Sequence, residues 1–142
     1  MSEARVRASF ARQKFMATLG ARLARVAPGE VDIEVAFDEK LTQQHGFVHA
    51  GVTTSIADSA CGYAALTLMP EDAAVLSVEY KVNLLAPAVG RRLVARGRVK
   101  KAGRTLTVCT ADVVAESDEG EKLVTTMLAT MMTVRDRGSL KD

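Results

Sequence analysis

Apolar and polar residues alternate along three segments of the chain, which is the period of a β-strand that turns one face to a core, and three further segments are also predicted to be strands. Two of these strands lie within residues 20–38, on either side of a predicted turn at Pro28 and Gly29. The other four are predicted at residues 74–84, 91–101, 105–116 and 122–134. Because short polar turns link most neighbours, the pattern favours antiparallel pairing.

Two further segments have the pattern of helices. Residues 48–69 are apolar or small on every side and precede Pro70, which indicates a helix that is buried all round. Residues 1–20 predict an amphipathic helix, whose apolar face is expected to hold Val6, Phe10 and Ala17. A long helix rich in Ala, Gly, Ser, Thr and Cys is thin, so a sheet can wrap around it. The predicted fold class is α+β, with an antiparallel sheet around one long central helix.

The alternation also predicts which side chains face the core. In the second strand these are Val31, Ile33, Val35 and Phe37. In the third strand they are Ala74, Leu76, Val78, Tyr80, Val82 and Leu84. In the fourth strand they are Leu93, Ala95, Gly97 and Val99. We expect residues 1–142 to form a single domain that ends in a disordered tail at residues 135–142.

Composition narrows the class of protein. The 142 residues are 48% hydrophobic and 25% charged, which is ordinary for a globular domain. No apolar run approaches the roughly 18 residues of a membrane span, so no membrane association is expected. A formal net charge of +2, with four Phe, two Tyr and no Trp, argues against nucleic-acid binding.

Targeting and redox features favour a cytoplasmic protein. The N-terminal segment is Arg-rich and has no continuous apolar core, which excludes a secretory signal and leaves a transit peptide as the alternative to a folded helix. Cys61 and Cys109 have no paired spacing, so we expect reduced, buried thiols. His45 and His49 would bind zinc together only on one continuous helix, and Gly46 precedes the predicted helix, so no metal is expected.

Asp58 is the residue of the predicted central helix that needs an explanation. From Leu41 to Pro70 the chain has no Lys, Arg or Glu, and this is its only Asp. A buried carboxylate is hydrogen-bonded or paired, or else its pKa rises. Asp58 therefore either ties a loop to the helix or acts as a general base or nucleophile. Small residues at the helix start leave backbone N–H groups for a developing oxyanion, so the second alternative points to acyl transfer.

Two segments resemble a known family. The tripeptide HAG at residues 49–51, followed by Asp58, resembles the HGG...D motif of hotdog-fold acyl-CoA thioesterases of the phenylacetate-degradation (PaaI-like) type. The sequence SVEYKVNLLAPAVG at residues 77–90 resembles a later stretch of that family. Residues 43–66 are most similar to its branch that acts on medium- and long-chain acyl-CoA. The resemblance implies a hotdog fold, hydrolysis of acyl-CoA, and no cofactor other than the CoA of the substrate.

The resemblance also implies roles for individual residues. Gln43 would help to hold the thioester carbonyl, and the backbone N–H of Ala50 would polarise the same oxygen. Asp58 would activate the attacking water or attack directly, and Ser77 would orient that water. The family usually has Gly where this chain has Ala50, but a backbone donor survives that change in a helix, where φ is negative.

Further substrate contacts are expected outside this group. By the same resemblance, His49 and Gly51 of the HAG motif would lie against the substrate. Residues 91–104 hold seven Lys and Arg side chains, which form either a solvated outer strand face or contacts to the phosphates of CoA. The candidates for these phosphate contacts are Arg91, Arg92 and Arg104.

The spacing along the helix points to a second subunit. Ala50 and Asp58 are eight residues apart, so their backbones lie roughly 12 Å apart along one helix axis. One thioester and its water would have difficulty reaching both, whereas a two-fold dimer could place Gln43 and Ala50 of one subunit opposite Asp58 and Ser77 of the other. We expect a homodimer or a homotetramer of paired dimers. The resemblance likewise implies that the active sites lie at the dimer interface.

Three other functions stay open. The substrate could be an aryl-acyl-CoA, such as a phenylacetyl derivative, rather than an aliphatic one. A hotdog dehydratase or hydratase would use His49 beside Asp58 for proton transfer. A non-catalytic acyl-CoA sensor would keep its function when Asp58 is changed to Asn.

Overall fold

The structure of the chain, a computed structural model, describes residues 3–135 and Asp142. Its helices are α1 (Glu3–Arg12), α2 (Lys14–Leu19) and α3 (Ala50–Leu66). Its strands are β1 (Ala21–Ala27), β2 (Glu30–Ala36), β3 (Ala74–Leu84), β4 (Arg92–Ala102), β5 (Leu106–Ser117) and β6 (Gly120–Val134). This order of elements confirms the prediction, except that two short helices replace the single N-terminal one.

The six strands form one antiparallel sheet in the order β1-β2-β4-β5-β6-β3. Helix α3 packs on one face of this sheet, and Ile56, Ala57, Ala60 and Ala64 are fully buried between them. The sheet curves around a single long helix, which is the hotdog arrangement. Strands β1 and β3 form its two edges.

A close approach between α3 and β4 explains why the helix is built from small residues. A Cβ atom added to Gly97 of β4 would lie 2.4 Å from the carbonyl carbon and oxygen of Ala60. The two backbones are therefore almost in contact at this point, and larger side chains there would separate them. Leu93 and Ala95 of β4 are also buried, as predicted, and Val99 packs against the core.

The first two strands form the predicted hairpin. Gly29 occupies its turn with φ of 73°, a left-handed conformation that favours glycine. Val31, Ile33 and Val35 are buried as the alternation predicted. Phe37 is 47% exposed, so that part of the prediction is wrong, because β2 ends at Ala36.

The N-terminal helix differs from its prediction. Gln13 interrupts it with an extended backbone, φ −80° and ψ 94°, and this break changes the face that meets the core. Val6 is buried as predicted, but Ala17 is exposed, and Met16 and Leu19 are buried in its place. The break could not be predicted from the 3.6-residue period of apolar residues, which assumes one continuous helix.

Strand β3 departs most from the pattern of the sequence. Its register shifts between Ser77 and Glu79, so Val78 is a bulged residue. As a result Ser77 faces α3, and the predicted inward orientation is wrong for Leu76 and Val78, which are 44% and 48% exposed. Beyond the bulge, Tyr80 pairs with the buried Ala129 yet is 48% exposed, because β3 is an edge strand of the sheet.

Three further expectations concern the cysteines, the membrane and the tail. Cys61 and Cys109 are free and buried, and burial raises the pKa of both thiols, to about 12 for Cys109. In the described part of the chain, no helix is both long and apolar enough to span a bilayer. The disorder expected for residues 135–142 concerns mainly residues 136–141, which lie outside the described residues.

Candidate active site

Gln43 stands in the loop before α3, and its side chain shapes that loop. Its carboxamide oxygen accepts hydrogen bonds from the backbone N–H groups of His45, at 2.6 Å, and Phe47, at 3.2 Å. Its own backbone N–H donates to the carbonyl oxygen of Phe47 at 2.8 Å. Because the loop uses the carboxamide oxygen, the Nε2 group is the part of Gln43 that can bind another molecule, and it is a donor.

His49 caps the start of α3. Its backbone is extended, with φ −60° and ψ 140°, and its Nδ1 accepts a hydrogen bond from the N–H of Gly51 at 2.7 Å. Its carbonyl oxygen accepts from Val52 at 2.9 Å. The first N–H groups of a helix have no partner within the helix. Among the hydrogen bonds of the described residues, none uses the N–H of Ala50, so this donor is available at the helix start.

Gln43 and Ala50 line the same cleft, which has a volume of about 390 Å³. Its other walls are mostly apolar and come from the Gln43 loop, α3, β6 and the segment after β3: Phe47, Val48, Thr53, Leu84, Leu85, Ala86, Pro87, Ala88 and Thr125. Two hydrogen-bond donors and a mostly apolar space therefore occur together in this cleft.

A pair of buried threonines anchors the helix start to the sheet. Thr125 of β6 donates to Thr53 Oγ1 at 3.1 Å, and Thr53 donates to the carbonyl oxygen of Ala50 at 3.1 Å. Both side chains line the cleft and are 1% to 2% exposed. This pair was not predicted from the sequence, although the two-residue period of a strand would have placed Thr125 on the core face of β6.

Asp58 and Ser77 form a second polar group. The Ser77 hydroxyl donates to Asp58 Oδ1 at 2.7 Å, and it also lies 3.3 Å from Met131 Sδ. Burial raises the pKa of the Asp58 carboxyl, and the hydrogen bond from Ser77 opposes that rise. Ser77 is exposed and Asp58 is half-buried, so a water molecule can reach the carboxylate.

The two polar groups lie apart in one chain. Asp58 and Ser77 are not among the residues that line the cleft of Gln43 and Ala50, and α3 separates Ala50 from Asp58 by roughly 12 Å. The edge strand β3 connects Ser77 with Leu84, which lines the cleft, and it exposes Tyr80 and Leu84 at 48% and 57%. The chain thus presents two separate polar groups near an edge strand with exposed apolar side chains.

The other predicted contacts lie elsewhere. His49 and Gly51 line a different cleft, of about 350 Å³, together with Phe15. Arg91 forms an ion pair with Asp118, and Arg92 forms ion pairs with Glu34 and Glu116, so acidic neighbours already neutralise both. Arg104 lies in the turn between β4 and β5.

No metal site is formed by the described residues, since none of their His, Cys, Asp and Glu side chains gather in a group of three or more.

Comparison with known proteins identifies the family. Residues 45–122, more than half of the chain, match the family model of the thioesterase superfamily. The crystal structure of a thioesterase family protein from Silicibacter pomeroyi is 55% identical with a TM-score of 0.91, over 92% of this chain and 96% of that one.

Two other similarities are weaker. Acyl-coenzyme A thioesterase 13 of Homo sapiens is 30% identical over 92 residues, which are 64% of this chain and 65% of that protein. The PaaI protein of the E. coli phenylacetic acid degradation operon shares the fold, with 18% identity and a TM-score of 0.82 over 92% of this chain and 91% of that one. The family match and the fold together show that the chain belongs to the thioesterase superfamily and is a thioesterase-family enzyme.

Proposed function

We propose that this enzyme hydrolyses acyl-CoA thioesters at a site to which two subunits contribute. The observation that carries the proposal is the division of the polar groups. Gln43 Nε2 and the N–H of Ala50 are donors in one cleft, whereas Asp58 and Ser77 form a base-like pair outside it. A thioester held by the first group needs the second group from a partner subunit.

Each residue then has a distinct chemical task. Asp58 removes a proton from water as the water oxygen bonds to the thioester carbonyl carbon, and Ser77 orients the carboxylate and the water. The negative charge that develops on the carbonyl oxygen is stabilised by Ala50 N–H and Gln43 Nε2. The C–S bond then breaks, CoA leaves as a thiolate, and the proton on Asp58 is released to the thiolate or to solvent.

The edge strand β3 provides the surface for the partner. It is eleven residues long, has unpaired backbone groups on one side and carries exposed apolar side chains, among them Tyr80 and Leu84. An antiparallel pairing of two copies of β3 would bring Ser77 of one subunit towards Leu84 of the other, and Leu84 lines the cleft of Gln43. A homodimer of this kind, alone or within a tetramer, holds two equivalent sites.

An aliphatic acyl chain of medium or long length is the proposed substrate. The cleft walls near Ala50 are aliphatic, with Val48, Leu84 and Leu85, and Phe47 is their one aromatic residue. The similar human protein is named an acyl-coenzyme A thioesterase, which supports the CoA ester as the substrate class. An aryl-acyl-CoA remains the nearest competing substrate.

A dehydratase or hydratase receives less support from the site. Its mechanism needs a histidine beside Asp58, but His49 Nδ1 accepts a hydrogen bond from Gly51, and its imidazole lines another cleft. Because His49 caps α3, we expect His49→Ala to destabilise the start of the helix more than it slows a chemical step.

The test is CoA release from a panel of straight-chain and aryl acyl-CoA esters, with Asp58→Asn and Gln43→Ala beside the unaltered enzyme. We expect turnover of some esters and a loss of at least about a hundredfold in Asp58→Asn, the lower range of a general-base contribution. Binding without hydrolysis of any ester would contradict the proposal and favour a sensor. Loss of activity in Gln43→Ala with wild-type rates in Asp58→Asn would contradict the assignment of the base.

A further inference from the structure

The basic residues in and around β4 divide into two groups according to their neighbours. Four arginines are held by acidic side chains of β2, β5, β6 and the β5–β6 turn: Arg91 by Asp118, Arg92 by Glu34 and Glu116, Arg96 by Glu121, and Arg98 by Asp32. These pairs form a balanced ladder on the outer face of the sheet. Their charge is already matched, so they offer little attraction to a further anion.

The second group lies at the far end of β4, in the turn that follows it and directly after β6, and its members have no acidic partner among the described residues. Lys100, Lys101, Arg104 and Arg135 are exposed, and among the described residues none of them forms an ion pair. We call these four residues the terminal cationic cluster. Arg135 Nη2 donates to the carbonyl oxygen of Arg104 at 3.3 Å, so the two guanidinium-bearing residues are direct neighbours. Neighbouring positive charges such as those of Arg104 and Arg135 repel each other, and an anion bound between them would offset this repulsion.

The cluster lies at the same end of the sheet as Asp58 and Ser77, which form the half-site that one subunit would supply. Ser77 pairs with Met131 and Met131 with Thr107, so these residues form one row across β3, β6 and β5. Two strand spacings separate Ser77 from Thr107 by about 10 Å, and Arg104 precedes Thr107 by three residues, or about another 10 Å along the chain. Arg104 is therefore roughly 14 Å from Ser77.

This distance matches the linker of the proposed substrate. Between the thioester sulfur and the first phosphate of CoA, the pantetheine arm has about as many bonds as four residues of backbone, so it spans roughly 15 Å when extended. A thioester beside Asp58 can thus place its phosphates at Arg104 and Arg135. Guanidinium groups bind phosphate oxygens through paired N–H donors, which suits this role.

We propose that the terminal cationic cluster binds the diphosphate and 3′-phosphate of CoA, on the subunit that supplies Asp58; this rests on the proposed function. Arg91 and Arg92 are then not phosphate ligands, and Arg104 alone is kept from the residues that the sequence suggested. The cluster distinguishes CoA esters from thioesters that lack a nucleotide, because only the nucleotide carries the charges that it attracts.

The experiment uses three thioesters with one common acyl group, namely acyl-CoA, acyl-4′-phosphopantetheine and acyl-N-acetylcysteamine. In Arg104→Gln/Arg135→Gln we expect kcat/KM for acyl-CoA to fall at least about tenfold, through KM, with kcat preserved. The ester of N-acetylcysteamine, which has no phosphate, should react as with the unaltered enzyme, and the single phosphate of phosphopantetheine should give an intermediate loss. Higher salt should weaken acyl-CoA binding in the unaltered enzyme and have less effect in the variant.

Arg98→Gln is the matched control, since Arg98 belongs to the same basic run but is paired with Asp32. A comparable rise in KM in this control would overturn the inference, as would an equal loss of activity towards all three esters in the double variant.

Binding of CoA itself, measured by calorimetry, separates this inference from the proposed function. If the unaltered enzyme hydrolyses no ester, the proposed function fails, and weaker CoA binding in the double variant but not in the control still supports the cluster. An unchanged affinity for CoA in the double variant would overturn the inference about the terminal cationic cluster.

Discussion

Ser77 donates a hydrogen bond of 2.7 Å to Asp58 Oδ1 across the space between β3 and α3. Burial raises the pKa of the Asp58 carboxyl, and this hydrogen bond partly offsets the rise. Because the bond stabilises the ionised form, Ser77 keeps Asp58 available as a base at a lower pH than burial alone would allow. The bulge at Val78 is what turns Ser77 towards the helix.

Removal of the Ser77 hydroxyl should therefore change the pH dependence of the enzyme. In Ser77→Ala we expect the acidic limb of the kcat/KM profile to move to higher pH, since the carboxyl loses the interaction that lowers its pKa. Ser59→Ala is the control, because the Ser59 hydroxyl donates to Gln13 Oε1 at 3.0 Å and not to Asp58. An unshifted acidic limb in Ser77→Ala would show that Asp58 does not titrate in the kinetic profile.

Asp58 should also lower the stability of the protein at neutral pH. Its pKa in the folded protein is raised above the ordinary value, so the folded state binds more protons in the window between the two values. The free energy of unfolding therefore falls as the pH rises through that window. Asp58→Asn removes the charge, and we expect its Tm at pH 7 to increase by about 1 to 4 °C while activity is lost.

Thermal unfolding at two pH values measures this effect. Below the ordinary pKa of aspartate both proteins are neutral at this position, and the difference in Tm should shrink. A lower Tm of Asp58→Asn at pH 7 would mean that the carboxylate stabilises the fold.

Gly97 and Gly62 provide a test of the close packing between α3 and β4. A Cβ at position 97 would collide with the Ala60 backbone, at 2.4 Å, whereas a Cβ at position 62 meets only Met131 Sδ, at 4.0 Å. We expect Gly97→Ala to cost about 3 kcal/mol of unfolding free energy or more, because two rigid backbones must separate. Gly62→Ala, inside the helix, should be neutral or stabilise by up to about 1 kcal/mol. Chemical denaturation measures both, and similar stabilities of the two variants would contradict the packing.

The sequence was sufficient to predict the elements whose pattern is regular. Helix α3 was recognisable because its residues are small or apolar on all sides, and β4 because Leu93, Ala95 and Gly97 alternate with arginines. The break at Gln13 and the bulge at Val78 each interrupt the helix or strand period by one residue. No residue type near either position indicates the interruption. They arise from packing against elements that are distant in the chain.

The candidate site divides in the same way. The spacing of Ala50 and Asp58 on one helix was enough to predict that their groups are separated, since the rise of a helix is fixed. The ion pairs of Arg91 and Arg92 could not be predicted, because they depend on which strands lie beside β4 and in which register. Arg104 lies in the turn after β4, outside this register, and it forms no ion pair among the described residues.

Two inactive variants should restore activity to each other if the site combines two subunits. Gln43→Ala damages the cleft, and Asp58→Asn removes the base, but a mixed dimer contains one site with neither change. After equimolar exchange of subunits, half of the dimers are mixed and each has one intact site of two. We therefore expect about one quarter of the wild-type activity, measured as CoA release after mixing.

The matched control combines Asp58→Asn with Ser77→Ala. Both changes fall on the same half-site, so a mixed dimer of these variants has one site without the Asp58 carboxylate and one without the Ser77 hydroxyl. Its activity should equal the average of the two parents, with no gain on mixing. A gain in the Gln43→Ala mixture and none in the control places the two halves on different subunits, because only that arrangement separates the two damaged groups. Equal behaviour of the two mixtures, after subunit exchange has been verified, would mean that Gln43 and Asp58 act within one chain, and the roughly 12 Å of helix between Ala50 and Asp58 would then have to be spanned by the substrate itself.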